Sequence, residues 1–159
     1  MGQVVQLVRL APEQDDSGSR DTSGRSSKGN GHPTITTLLI VEDEILVRLA
    51  VADYLRDCGH RILEASSAEE AQAILRSGEP VEILFSDINL GAGLSGFDLA
   101  RWVREEYPSV RILLASGVAW LAGEAENLCD GPVLVKPYSF DSLGEHVKRL
   151  LGAFGRRTG

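Results

Sequence analysis

Cysteine is scarce in this sequence. Two thiols, Cys58 and Cys129, occur in 159 residues, far apart and outside any CxxC spacing, which excludes both a disulfide framework and a zinc pattern. Each is expected to be a small buried hydrophobe in a reducing compartment. No apolar run approaches the ~20 residues of a membrane span, so no membrane contact is expected. The first ten residues carry neither a basic n-region nor an A-x-A-like cleavage site, so no secretory signal is expected and the cytoplasm is the expected location. Basic charge is also in short supply: 16 Lys and Arg against 23 Asp and Glu give a formal net charge of −7. Residues 1–33 balance Arg9, Arg20, Arg25 and Lys28 against Glu13, Asp15, Asp16 and Asp21, so the whole excess lies in the remainder. An acidic domain without a basic stripe is a poor candidate for direct DNA binding, and Arg156-Arg157 is too short to change that. No G-x-G-x-x-G follows the first apolar run, which removes a dinucleotide-binding reading.

What is present falls into three parts. Residues 1–35 read as a disordered arm, since 11–33 are poor in bulky apolar groups and dense in Ser, Gly, Asp and Arg, too little to offset the entropy of ordering. Residues 36–154 read as one domain and 155–159 as a short tail. Within the domain, 38–41 is a short apolar run followed by Glu42-Asp43-Glu44. A helical period places Val47, Ala50, Val51, Tyr54, Leu55 and Cys58 on one face, with Gly59 as its stop. Residues 61–65 form a second strand. Ser67-Ala68-Glu69-Glu70 has the form of a capping box opening a second helix. The run 81–87 shows almost no alternation, which predicts a strand buried on both faces of a parallel sheet. A third helix starts at Ser95 or Gly96 and ends before Pro108, its Arg104-Glu105-Glu106 reading as a solvated face. A strand over 111–115, a weaker helix over 119–129 and a strand over 133–135 follow. Ser139 caps a last helix with Leu143, Val147, Leu150 and Leu151 on its apolar side. Five βα units predict an α/β domain with a parallel sheet and helices on both faces.

Chemistry in such a sheet lies outside the carboxyl ends of the strands, where the strand order reverses. Glu42 and Asp43 follow the first strand, Asp87 the third, Ser116 the fourth and Lys136 the fifth. Three carboxylates at one edge repel, by about 4 kcal/mol per pair at ~4 Å and an effective dielectric of about 20. A hard divalent cation removes that penalty, and oxygen donors suit Mg²⁺, which shares its sites with phosphate. Lys136 and Ser116 suit the anion. The pattern fits a phosphoryl group carried near a carboxylate, and an aspartate can serve as nucleophile and hold an acyl phosphate.

Ile40-Val41-Glu42-Asp43-Glu44, Phe85-Ser86-Asp87, Leu114-Ala115-Ser116-Gly117 and Val135-Lys136-Pro137-Tyr138, each ending a βα strand, together resemble the receiver domain of two-component response regulators over 36–154. The resemblance implies a flavodoxin-like, doubly wound five-stranded sheet of order 2-1-3-4-5. It implies Asp87 as phosphoacceptor, Mg²⁺ bound by Asp43, Asp87 and the backbone carbonyl of Asn89, and Glu42 acting on the ion through water. Lys136 would contact the phosphoryl group. Ser116 would swing towards it and report to the face made by helix 4, strand 5 and helix 5. The implied partners are a sensor histidine kinase or a histidine phosphotransfer protein, a downstream protein target and, on phosphorylation, a second copy. The implied function is that of a single-domain phosphoacceptor rather than an enzyme. Two departures stand out. Val133 occupies a position where the family usually has an aromatic, and Gly91-Ala92-Gly93 replaces a usual proline in a loop one residue longer. Two rival readings are a receiver-like adaptor that is not phosphorylated and a haloacid dehalogenase-type phosphohydrolase. The latter resembles D-x-D, but Asn89 stands at the second position and no room remains for a cap domain.

Overall fold

The computed structural model describes residues 35–152, with the backbone alone at 119, 120 and 122. All of the expected arm except Ile35, and the closing tail, lie outside the described residues. The elements are β1 (Thr37–Val41), α1 (Ile45–Asp57), β2 (Arg61–Ala65), α2 (Ala68–Arg76), β3 (Ile83–Asp87), α3 (Gly96–Glu106), β4 (Arg111–Ser116), α4 (Ala119–Ala125), β5 (Leu134–Val135) and α5 (Phe140–Gly152). All five strands are parallel, in the order β2-β1-β3-β4-β5.

Successive strand residues point to opposite faces, and here each face has its own core. Leu38, Ile40, Ile83, Phe85 and Leu113 pack with Val51 and Leu55 of α1 and Leu143 and Val147 of α5. Leu39, Val41, Leu84, Ile112 and Leu114 pack with Leu75 of α2 and Leu99 and Val103 of α3. Both faces being covered, β1 and β3 are buried along their whole length, which is why their sequences lack alternation.

Several local expectations are corrected. β3 starts at Ile83, and the Glu82 carboxylate just before it accepts from Thr37 N at 2.6 Å. β5 starts at Leu134, and α4 has seven residues. On α1 the buried residues are Val51, Ala52 and Leu55, with Ala50 exposed. Cys58 is exposed at the helix end, not buried. Cys129 is half-buried, and burial above all pushes its thiol up to about 11. Arg104 is not part of a solvated face: its Nη2 donates to Leu128 O at 2.8 Å and to Asp130 Oδ2 at 2.9 Å, tying α3 to the segment after α4. The box at Ser67 is displaced by one residue. Ser67 Oγ accepts from Glu70 N, but the Glu70 carboxylate passes on to Ser66 N and Oγ, both at 2.7 Å.

A complete box opens α3 instead. Asp98 N donates to Ser95 Oγ at 3.2 Å, and Ser95 N donates to Asp98 Oδ2 at 3.0 Å. Ser95→Ala is therefore expected to cost about 1 kcal/mol, measured by urea unfolding. The Ser95 hydroxyl first, then its amide, hold the Asp98 carboxyl below the ordinary 3.8. A depressed carboxylate contributes stability that is complete above its unfolded value and is lost as pH falls through the folded one. The penalty of Ser95→Ala should accordingly shrink below about pH 3.8.

Candidate functional site

Three loops at the carboxyl edge of the sheet supply the site. Glu42 continues β1, its amide donating to Ala65 O at 3.1 Å, which keeps its side chain in register with the strand end. It is only 6% exposed. Its Oε1 accepts from Glu44 N at 3.1 Å, and Arg48 Nη1 donates to its carbonyl at 2.7 Å. Asp87 closes β3 at 8% exposure, its Oδ1 accepting from Asn89 N at 3.1 Å. Lys136 leaves β5 through a cis Lys136–Pro137 peptide, and its amide donates to Ser116 O at 2.8 Å. Its ammonium reaches both buried acids, donating to Asp87 Oδ2 at 2.5 Å and to Glu42 Oε2 at 3.3 Å. Asp43 is exposed at the rim, yet carboxylate oxygens of Glu42, Asp43 and Asp87 all lie within 4.8 Å of one another.

The charges follow from this packing. Burial pushes the Glu42 carboxyl up; the Glu44 amide and Lys136 oppose that, the Asp87 charge adds to it, and the net direction is upward. Burial works against the charge on Lys136, but the hydrogen bond and charge of Asp87, with those of Glu42, outweigh it and hold the ammonium above the ordinary lysine value. Tyr138, packed edge-on against Phe85, is pushed up to about 12, chiefly by burial. Lys136 pairs with two of the three carboxylates, which leaves an excess of negative charge at close range, and hard oxygen donors so grouped suit a divalent cation.

The structure thus brings together Glu42, Asp43, Asp87 and Lys136. Ser116 is treated differently. It is 2% exposed, and its hydroxyl is engaged in its own turn, donating to Val118 O and accepting from Val118 N, both at 3.0 Å. Asn89 stands where a phosphohydrolase of the D-x-D kind would need an acid, and its Oδ1 accepts from Gly91 N at 3.3 Å. Val133, like Leu128 and Cys129, is half-buried against the core that includes Ile112, Leu114 and Ala125.

Two features were absent from the sequence reading. Gly96 N donates to Ile88 O at 2.8 Å, which seats the start of α3 directly on the end of β3; the signal was a glycine where a helix former would be expected. A groove of about 620 Å³ runs beside Lys136, lined by Leu46, Val47 and Val51 of α1 and by Pro137, Tyr138 and Phe140. Its signal was the apolar triplet Ile45-Leu46-Val47 immediately after the acids, whose first two members are left 58% and 73% exposed.

Comparison with known proteins points the same way. The family described as the response regulator receiver domain matches residues 38–148. The sensor kinase CckA of Brucella abortus is 31% identical over 150 residues, 91% of this chain and 16% of that protein. The response regulator protein FleR of Pseudomonas aeruginosa is 34% identical over 114 residues, 70% of this chain and 24% of that protein. The chain therefore spans a quarter or less of either relative's length. Among solved structures, response regulator TrrA of Thermotoga maritima, in complex with Mg²⁺-BeF, superposes with a TM-score of 0.67 at 28% identity, covering 73% of this chain and 99% of that one. A response regulator receiver protein of Sinorhizobium medicae gives a TM-score of 0.69 at 30% identity, covering 76% and 97%.

Proposed function

Because this chain belongs to the response regulator receiver domain family, we propose that it accepts a phosphoryl group on Asp87, with Mg²⁺, from a sensor histidine kinase or a histidine phosphotransfer protein in the cytoplasm, and passes the signal on by protein–protein contact. The observation that carries this reading is the Lys136 ammonium shared between Asp87 and Glu42 inside a group of three carboxylates. A helix-capping aspartate would need neither the lysine nor the neighbouring acids.

Asp43 and Asp87 would hold the cation directly, with the Asn89 carbonyl, and Glu42 would act through water. When bound, Mg²⁺ offsets the clustered carboxylates and the charge on the transferring phosphoryl group. A carboxylate oxygen of Asp87 forms the new P–O bond as the P–N bond of a phosphohistidine breaks, its electron pair leaving with the imidazole. Lys136 is held charged by Asp87 and Glu42, so it can follow the negative charge from the carboxylate to the phosphoryl oxygens. Ser116 would have to leave the Val118 turn to donate to the same group. That gives two arrangements of one hydroxyl, whose balance phosphorylation would shift. The groove beside Lys136 suits a donor whose histidine sits on an amphipathic helix, since Leu46, Val47, Tyr138 and Phe140 offer an apolar wall next to the lysine that pairs with the acceptor.

Incubation of the full chain with acetyl phosphate and Mg²⁺, with the label followed on the protein and in solution, tests the proposal. Stoichiometric, hydroxylamine-sensitive label supports a phosphoacceptor. Sustained release of phosphate from simple esters would instead mark a phosphohydrolase. Absence of label, from acetyl phosphate and from kinases alike, would mark an adaptor.

A further inference from the structure

Glu69 stands exposed on α2, outside the acid cluster, yet its carboxylate reaches the loop that follows Asp87. Leu94 N donates to Glu69 Oε1 at 3.1 Å. Gly93, at φ +99°, permits that approach: a Cβ there would lie 2.8 Å from Glu69 Oε1. Gly91, at φ +73°, sits against the cluster in the same way, and a Cβ there would lie 3.1 Å from Asp43 Oδ2. One short loop therefore presses its two bare positions against two carboxylates, one in the cluster and one on a helix outside it.

The loop is fixed at both ends. Asn89 N bonds to Asp87 Oδ1 and Gly91 N to Asn89 Oδ1 at the near end; the Ser95 cap and the Gly96–Ile88 bond close the far end. Among the described residues, Glu69 is the side chain from another element that hydrogen-bonds residues 91–94. Glycine loses the most backbone freedom on ordering, so a loop with two of them depends on that bond. The Leu94 amide first, then the carboxylate's own amide, hold Glu69 below the usual carboxylate range.

We infer that Glu69 is a positioning residue for the acid cluster: through Leu94 it holds the 90–94 loop against Asp43, so that Asp43 and the Asp87 end of the loop are pre-set for a divalent cation. The inference rests on the reading of the cluster as a Mg²⁺ site. Among the described residues no hydrogen bond or ion pair joins Glu69 to a member of the cluster, so its effect has to travel through the loop.

The test uses the full chain as wild type, Glu69→Ala and Glu69→Gln, with Mg²⁺ titrated calorimetrically and the Leu94 amide followed by hydrogen exchange in metal-free buffer. Glu69→Ala is expected to stay folded, to lose protection at Leu94 and to weaken Mg²⁺ binding about three- to tenfold, the net value of one hydrogen bond. Glu69→Gln keeps an acceptor oxygen, so it is expected to retain Leu94 protection and to stay within about twofold of wild type. Wild-type affinity in Glu69→Ala would overturn the inference alone. Equal weakening in both variants would also overturn it, by assigning the effect to charge acting through space. Absence of Mg²⁺ uptake by the wild type would overturn the parent reading and this one with it.

Discussion

Asp87→Asn is expected to leave the chain folded and wholly unlabelled by acetyl phosphate. An amide has the shape of the carboxylate but lacks the anionic oxygen that forms the acyl phosphate, so the loss is all or none. Labelling at the wild-type level would move the acceptor to another residue. The same variant separates the chemical role of Asp87 from its structural one. Both oxygens are occupied, Oδ1 by Asn89 N and Oδ2 by Lys136, and an amide can accept at only one of them. That loss is worth about 1.5–3 kcal/mol where a charged donor is involved. Against it stands the relief of repulsion: Asp87 raises the Glu42 carboxyl, and Lys136 keeps Glu42 as its partner at 3.3 Å. The metal-free thermal midpoint is therefore expected to move little. The larger change is in the response to Mg²⁺. A ligand at 100 times its dissociation constant stabilises the wild type by about 2.7 kcal/mol, and most of that gain should disappear once one of the three carboxylates is gone. Scanning calorimetry with and without Mg²⁺ measures both quantities.

The strands and the edge that carries the site were legible because both depend on local pattern. Unalternating runs such as 38–41 and 83–87 arise when both faces of a sheet are covered, and a polar residue ending such a run marks the carboxyl edge whatever the tertiary detail. Helix faces were less legible where alanine decides them: Ala50 and Ala52 are equally apolar, and only packing against the sheet buries the second. Apart from the convergence at that edge, which brings Lys136 to Glu42 and Asp87, contacts between distant parts of the chain were not legible. Arg104 meets Asp130 26 residues away, and Glu69 meets Leu94 25 residues away; in sequence each is an ordinary charged residue on a helix surface. The Ser116 hydroxyl illustrates another limit. Its place at the strand end could be read, but whether it bonds Val118 or faces the pocket is a choice between conformations, which residue order does not encode.

Gly96→Ala is expected to be the most damaging conservative change in the described chain. No strained φ is involved; what the glycine provides is space. A Cβ at this position would be driven into the Asp87 carbonyl oxygen and would lie 2.8 Å from Ile88 Cα and 2.9 Å from the Asp87 carbonyl carbon. These are backbone atoms at the end of β3, held by Asp87 pairing with Ala115 and by Ile88 N donating to Ala115 O at 2.9 Å. No side chain is there to rotate away, so α3 must lift from the strand end or Asp87 must shift. Overpacking of this kind costs about 1–3 kcal/mol where side chains can adjust, and a rigid strand end places the cost at or above about 3 kcal/mol. Gly123 gives the contrast: it lies within α4 with nothing within 4 Å of its virtual Cβ, and Gly123→Ala is expected to stabilise by about 0.5–1 kcal/mol through reduced backbone entropy. Urea unfolding of the two variants should therefore differ in sign. If Gly96→Ala stays folded, the displacement falls on the residue proposed as acceptor, and Mg²⁺ affinity and phosphoryl uptake should both drop. Wild-type stability together with wild-type uptake would show that the start of α3 does not fix the position of Asp87.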